Sequence, residues 1–310
     1  ACSYFEKFEF DRGWQEYEWR KKTKDQKFLQ QLNTKPAWNG DNDQGSLLIW
    51  GEQGIGDQIL HGSILPDLSN FSGRVTVALD RKLLPAFERS FPKYQFIANS
   101  PNLDQSPFDQ QISIASLGKI FRRDLSNFKK NRSYLKADQD KKNRIIDMLP
   151  KNAIVCGISW KSVNAKVGEN KSIRLDDLAP ILKMQKLYSV NLQYGDVEAE
   201  IEASNQLHGI GIDPFRSIDK YDDIDGLLAL IDSCSYVITT SNSTAHLSGA
   251  LGKETLLLLP FSAGKFWYWQ HQDRRSIWYP SVRIFQQQQD GDWSQPIKEI
   301  QTFLEEKIAI

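Results

Sequence analysis

Ser46-Leu47-Leu48-Ile49-Trp50-Gly51-Glu52-Gln53-Gly54-Ile55-Gly56-Asp57 is the stretch on which the fold turns. An apolar run of strand length meets a glycine-rich turn, and a helical pattern follows from Asp57 to about Leu68. Glycines in such a turn let backbone approach a ligand, and the helix start that follows presents amide N–H groups. The unit is therefore β-turn-α.

Working outward, Arg74 to Leu79 reads as a second strand, Leu83 to Arg89 as a helix, and Tyr94 to Ala98 and Gln111 to Ile114 as further strands. Such alternation implies a parallel sheet covered on both faces. After the charged stretch Lys136 to Lys142, a helix from Asn143 to Leu149 stops at Pro150, and the strand Ala153 to Trp160 starts the alternation again. Helices are expected near Asp176 to Met184, Asp223 to Asp232 and Ser243 to Leu251, with one more after Trp293. Strands are expected at Leu187 to Leu192, Tyr236 to Thr239 and Thr255 to Leu259. The expected architecture is α/β, with two Rossmann-like domains facing a cleft and a short N-terminal helical segment. Its divisions are 1–40 (a helical, repeat-like cap), 41–145 and 146–310. In the cap, Tyr4, Phe5, Phe8, Phe10, Trp14, Tyr17 and Trp19 stand among dense charge, which suits an amphipathic helical segment broken near Gly13.

At 310 residues the chain is long enough for two cores. Lys+Arg and Asp+Glu are both 39, so no global field draws the chain to nucleic acid or to an anionic membrane. Cys2, Cys156 and Cys234 are odd in number and far apart, which reads as reduced thiols of a cytoplasmic protein. No run reaches the length of a membrane span and the N-terminus lacks a signal-peptide core, so at most a peripheral place at the inner membrane face is expected. His61, His208, His246 and His271 have no second histidine or cysteine at metal-ligand spacing, so no metal is expected.

Three constellations carry candidate chemistry. The first is Gln53, Gly54, Gly56 and Asp57. A dinucleotide reading, with Asp80 on the ribose, suffers because Ile59 stands where a third glycine should allow helix and strand to pack closely. Asp57 as a first-turn carboxylate complementing the helix dipole needs no catalytic role. The second is Thr239-Thr240-Ser241-Asn242-Ser243-Thr244-Ala245-His246, between an apolar strand and a helix. Hydroxyls, an amide, helix-start N–H groups and a histidine suit a diphosphate there, although Ser and Asn are also ordinary N-caps. The third is the loop carrying Lys161, Lys166, Lys171 and Arg174, which supplies cations for a departing nucleoside diphosphate or simply forms a solvated basic loop.

The order of these motifs resembles the heptosyltransferase-like glycosyltransferases of family 9, from Gly13-Trp14 through to Trp293. Gly54-Ile55-Gly56-Asp57 matches the family's N-domain motif, and the resemblance implies Asp57 as general base with Gln53, Gly54 and Gly56 in the acceptor-side loop. The stretch Ser241 to His246 is similar to the family's Asp-Thr-x-x-x-His segment, with Ser241 in place of the aspartate and Asn242 in place of the threonine. The resemblance implies donor binding by Ser241, Asn242, Ser243, Thr244 and His246, with Lys171 or Arg174 on the phosphates and Gln193 and Asp222 near base and ribose. Gly13 to Arg20 is similar to the last tetratricopeptide-like repeat before this domain in relatives, so either a longer repeat array precedes it or the segment packs on the domain as a cap, and we favour the packing role. A protein partner through this segment is a further expectation. The implied reaction is inverting, metal-independent transfer of a sugar from a nucleotide donor to a saccharide, lipid-linked or protein acceptor, with no cofactor. The alternative is a non-catalytic sugar-nucleotide-binding or scaffold module, a reading that the lost carboxylate at Ser241 keeps open.

Overall fold

The computed structural model describes residues 1–22, 34–128, 133–163 and 167–308. The chain divides into two compact units, Ala1–Lys136 and Ala137–Ile310.

In the first unit β1 (Ser46–Trp50), β2 (Arg74–Leu79), β3 (Gln95–Ala98) and β4 (Gln110–Ser113) form a parallel sheet of order β3-β2-β1-β4. Leu47 to Trp50 are fully buried, as a central parallel strand covered on both faces requires. The strand order reverses between β1 and β4, so the crevice for a ligand opens at their carboxyl ends.

The helix after the glycine turn is shorter than its sequence pattern suggests. It spans Ile55–Gly62, and the remaining run closes as a 3-10 turn at Leu65–Asn70. Pro66 explains the break, because it has no N–H to offer the Gly62 carbonyl and its ring would collide there.

Helices α1 (Cys2–Glu6) and α2 (Phe10–Tyr17) and the 3-10 turn Glu18–Lys22 form the N-terminal segment; we call the Ile55–Gly62 helix α3. Phe5, Phe10 and Trp14 are buried, with Phe5 edge-on to Trp14 at 4.8 Å and Phe10 against Phe128 at 4.8 Å. The Trp14 indole N–H donates to the Arg122 carbonyl at 2.7 Å. Each such aromatic stabilises by roughly 1.5 to 3 kcal/mol through burial, so the segment is packed onto this unit. Leu84–Ser90 (α4) and Leu117–Phe121 (α5) complete it, and a Cβ on Gly118 of α5 would collide with the Trp14 ring.

The second unit holds β5 (Ile154–Ser159), β6 (Leu187–Asn191), β7 (Ile212–Asp213), β8 (Tyr236–Thr240), β9 (Thr255–Leu259), β10 (His271–Gln272), β11 (Arg275–Ser276) and β12 (Val282–Gln286). Strands β7-β6-β5-β8-β9-β12 run parallel in that order, and β11 and β10 extend the sheet antiparallel. This is the doubly wound order of a dinucleotide-type fold, and it reverses between β5 and β8.

Its helices are α6 (Gln139–Met148), α7 (Gly168–Lys171), α8 (Ala179–Leu182), α9 (Glu198–His208), α10 (Ile224–Ser233), α11 (Ser243–Leu251) and α12 (Ser294–Ile308). Helix α6 starts inside the charged stretch Lys136 to Lys142 and not at Asn143, because the Asp138 carboxylate accepts the Lys141 amide at 2.9 Å and caps it. The helix expected near Asp176 to Met184 is a 3-10 turn, Leu175–Leu178, followed by α8. Strands β7, β10, β11 and β12 and helices α7 and α9 are additions to the expected pattern of this unit. No helix among the described residues is long and apolar enough to cross a membrane.

Candidate functional site

At the carboxyl ends of β5 and β8 the second unit builds a crevice from its own polar side chains. Asn242 follows β8 in an extended conformation and caps α11, its Oδ1 accepting from the amides of Thr244 at 3.0 Å and Ala245 at 3.4 Å. The hydroxyl of Thr239 donates to the same oxygen at 3.1 Å. The Asn242 amide group reaches across the strand reversal, donating to Ser159 Oγ at 2.8 Å and to the Lys161 carbonyl at 3.1 Å. Ser159 in turn donates to Gln193 Oε1 at 3.0 Å, which also accepts the amides of Trp160 at 3.0 Å and Lys161 at 2.8 Å. Gln193 and Asn242 thus fix the wall of the crevice, and Ser243 and Thr244 open the helix whose positive end lies in it.

An aromatic wall carries the histidine. The His246 ring stacks on Trp269 at 4.9 Å and meets Tyr268 edge-on at 5.2 Å, and its Nδ1 lies 3.1 Å from the Tyr279 hydroxyl. The Trp269 indole N–H donates to Ser241 Oγ at 2.8 Å, so Ser241 is tied to this wall. Burial first, and then the Lys171 charge, push the His246 pKa down to about 3, which keeps the imidazole neutral. Lys171 is itself buried, its ammonium 4.7 Å from the Phe266 ring, and Phe266 stacks on Tyr268 at 5.2 Å. Gly264, at φ +86°, is needed beside it on two counts, since a Cβ there would also come 2.6 Å from Lys171 Cγ.

Other predicted residues stand elsewhere in this unit. Arg174 is 79% exposed and pairs with Asp176 at 3.1 Å, while Asp176 also takes bonds from Ser204 and His208 of α9. Lys161 points to Glu200 at 2.5 Å. Asp222 is on the exposed turn before α10, its amide donating to Asp219 at 3.0 Å. Lys166 lies outside the described residues. Ser159 belongs to the cluster and was not singled out from the sequence, although a hydroxyl at the end of a buried first strand is a usable signal.

In the first unit the turn after β1 carries Gln53, Gly54, Gly56 and Asp57. Gly54 is the N-cap of α3, and one Asp57 oxygen accepts its amide at 3.2 Å. Gln53 is the residue in the left-handed region, at φ +61°. Around it Gly51 is held at both backbone groups, its amide on Ala78 O and its carbonyl by Asn99, each at 2.7 Å.

Against this turn lies a cluster that sequence spacing did not reveal. Arg20 holds Glu52 with two nitrogens, at 2.5 and 3.0 Å, and also donates to Glu18 at 3.0 Å, Ser113 at 2.9 Å and Ser116 at 3.0 Å. Burial works against the Arg20 charge, but Glu52 and then Glu18 outweigh it and raise its pKa. For Glu18 burial is likewise opposed, by Arg20 and Lys21, and its pKa falls to about 2. The Arg20 guanidinium covers the Tyr17 ring at 4.5 Å, and the Tyr17 hydroxyl lies 3.2 Å from Gln53 Nε2. Burial and, more weakly, the nearby Asp57 charge raise the Tyr17 pKa against the pull of Arg20.

With both sheet orders and both crevices in view, solved structures match closely in architecture. ADP-heptose lps heptosyltransferase II of E. coli superposes with a TM-score of 0.60 at 11% identity, over 85% of this chain and 99% of that one. The chain has the heptosyltransferase fold. A glycosyl transferase family 9 structure from Veillonella parvula gives 0.59 at 11% identity, over 86% of this chain and 89% of that one. E. coli heptosyltransferase WaaC with ADP-2-deoxy-2-fluoro heptose gives 0.54 at 11% identity, over 84% and 99%. In sequence, Protein FlbA of Caulobacter vibrioides is 29% identical over 327 aligned positions, which take in 96% of this chain. The chain spans 52% of FlbA's length. No family model matches.

Proposed function

We propose that this heptosyltransferase-fold chain transfers a sugar from a nucleotide donor to an acceptor hydroxyl, with inversion and without a metal. The observation that carries the proposal is the amino end of α11, capped by Asn242 and bearing a neutral His246 whose aromatic wall also holds the buried Lys171 through Phe266 and Tyr268. A departing nucleoside diphosphate gains negative charge as the glycosidic bond breaks, and fixed cations and helix dipoles stabilise it without reorganising. Ser241 to His246 form the phosphate-binding wall in this reading, Lys171 is its principal cation, and Gln193 braces the wall through Ser159. Asp57 accepts the proton of the acceptor hydroxyl. The neighbours, an ADP-heptose heptosyltransferase and a heptosyltransferase with ADP-2-deoxy-2-fluoro heptose, support a nucleoside diphosphate sugar as donor class. The Ser241 hydroxyl tied to Trp269 favours a second reading, a module that binds the nucleotide sugar and does not turn it over.

Calorimetry with ADP, GDP, UDP and their sugar conjugates tests the donor site. At least one diphosphate is expected to bind with an affinity that a chelator leaves unchanged, because Lys171 and helix amides supply the charge compensation. Loss of binding with chelator removes the metal-free mechanism, and silence across the whole panel removes the donor site. Binding without release of sugar to any of a broad set of acceptors selects the module.

A further inference from the structure

We propose that Arg20, supplied by the N-terminal segment, is a positioning residue for the acceptor-side turn. It clamps Glu52 and so holds Gln53 to Asp57 in their working shape. The proposal rests on the reading of Asp57 as base.

The place of the guanidinium is the first argument. The first unit's strand order reverses between β1 and β4, and Arg20 bonds to groups at both carboxyl ends: Glu52, two residues past β1, and Ser113, the last residue of β4. In the second unit the equivalent crevice is spanned by Asn242, a residue of that unit's own strand-helix turn. In the first unit the bridging group arrives from 32 residues before Glu52, on a segment outside the alternating strands and helices.

Burial and bond geometry give the second argument. The Arg20 side chain is 8% exposed and that of Glu52 is fully buried. The planar fork bonds both carboxylate oxygens, and the two serine hydroxyls share the second hydrogen of the same Nη2, while the face of the fork covers Tyr17. A lysine offers one point charge and cannot reproduce that set.

The third argument is continuity with Asp57. Gln53 follows Glu52 directly, is held in the left-handed region, and is met by the Tyr17 hydroxyl at 3.2 Å. A non-glycine residue persists there only when its surroundings determine it. On the next residues the Asp57 carboxylate accepts the Gly54 amide at 3.2 Å. The turn is thus pinned at Glu52 and Gln53 by one segment, a few residues ahead of the proposed base.

The test uses the full chain with R20K, which keeps the charge, and with R20M/E52M, which removes both charges so that neither is left buried alone. Hydrogen exchange is read at the amides of residues 54–57 and at those of Thr244 and Ala245. Diphosphate affinity (ADP, GDP and UDP) and transfer kinetics are measured on the same samples. In both variants the 54–57 amides are expected to exchange roughly tenfold faster or more, with Thr244 and Ala245 and the diphosphate affinity unchanged. Transfer kcat is expected to fall by about tenfold at unchanged donor KM, because a base displaced by a fraction of an ångström loses its near-attack geometry. A charge pair with a purely structural role would be satisfied by lysine, so R20K showing wild-type exchange at 54–57 overturns the proposal. If the wild type transfers no sugar while 54–57 loosen in R20K, the clamp stands and the transfer reading alone falls.

Discussion

Asp57→Asn is expected to lower sugar transfer by on the order of a hundredfold or more while leaving nucleoside diphosphate affinity nearly intact. The carboxylate lies in the first turn of α3, just past the carboxyl end of β1, where one of its oxygens already caps the Gly54 amide at 3.2 Å. Asparagine retains an oxygen for that amide, and so preserves the cap while removing the proton acceptor. The two roles of the residue are thereby separated in one substitution. Steady-state transfer and calorimetry on the same preparation decide the matter. A variant with normal helix stability and normal transfer would falsify the base and leave Asp57 as a cap.

A second large effect concerns pH. Burial, reinforced by Lys171, holds the His246 pKa at about 3 in the folded chain, against 6.5 for an ordinary histidine. Below pH 6.5 the unfolded chain takes up a proton that the folded chain refuses, so acid draws the equilibrium toward unfolding. The stability is fully present above pH 6.5 and declines by about 1.4 kcal/mol per unit below it, reaching roughly 2 to 3 kcal/mol of loss by pH 4.5. His271, lowered by burial and by Lys265 and Arg274, contributes with the same sign. Glu18, depressed to about 2, retains its contribution above the ordinary carboxylate range and loses it only as pH falls toward 2. The interval from 6.5 to 4.5 therefore isolates the histidines. Urea midpoints followed across it should fall steeply for the wild type and distinctly less for His246→Gln, whatever that variant loses in absolute stability. Parallel slopes would mean that His246 titrates normally in the folded chain.

Much of this could be read along the sequence because the informative residues lie side by side. Leu47 to Trp50 and the glycines after them announce a buried strand and a turn within a dozen residues, and Asn242 reads as a cap from its place before a small-residue helix. Elements with weak local contrast were harder to read. Helix α9 buries only Ile201 and Ser204, so its apolar stripe barely exists, and β12 is a short run lodged between Pro280 and a glutamine tract. His246 permitted two readings, anion contact and packing, and its stack on Trp269 shows that packing is part of its place. The Arg20 cluster was beyond local reasoning altogether. Its partners Ser113 and Ser116 are 93 and 96 residues away, and only the chain's return at β4 brings them to the guanidinium.

That return also bears on what can be separated from what. A border drawn by the regular alternation of strands and helices would begin the first Rossmann-like unit at Ser46 and set the preceding helices aside as an accessory. Electrostatics draws the border differently. Excising residues 1 to 22 would take from the buried Glu52 carboxylate the cation that pairs with it, and losing one partner of a buried ion pair is costly. Packing and charge therefore set the border of this unit so that it takes in Arg20, and the helical segment belongs to the same compact unit as the sheet.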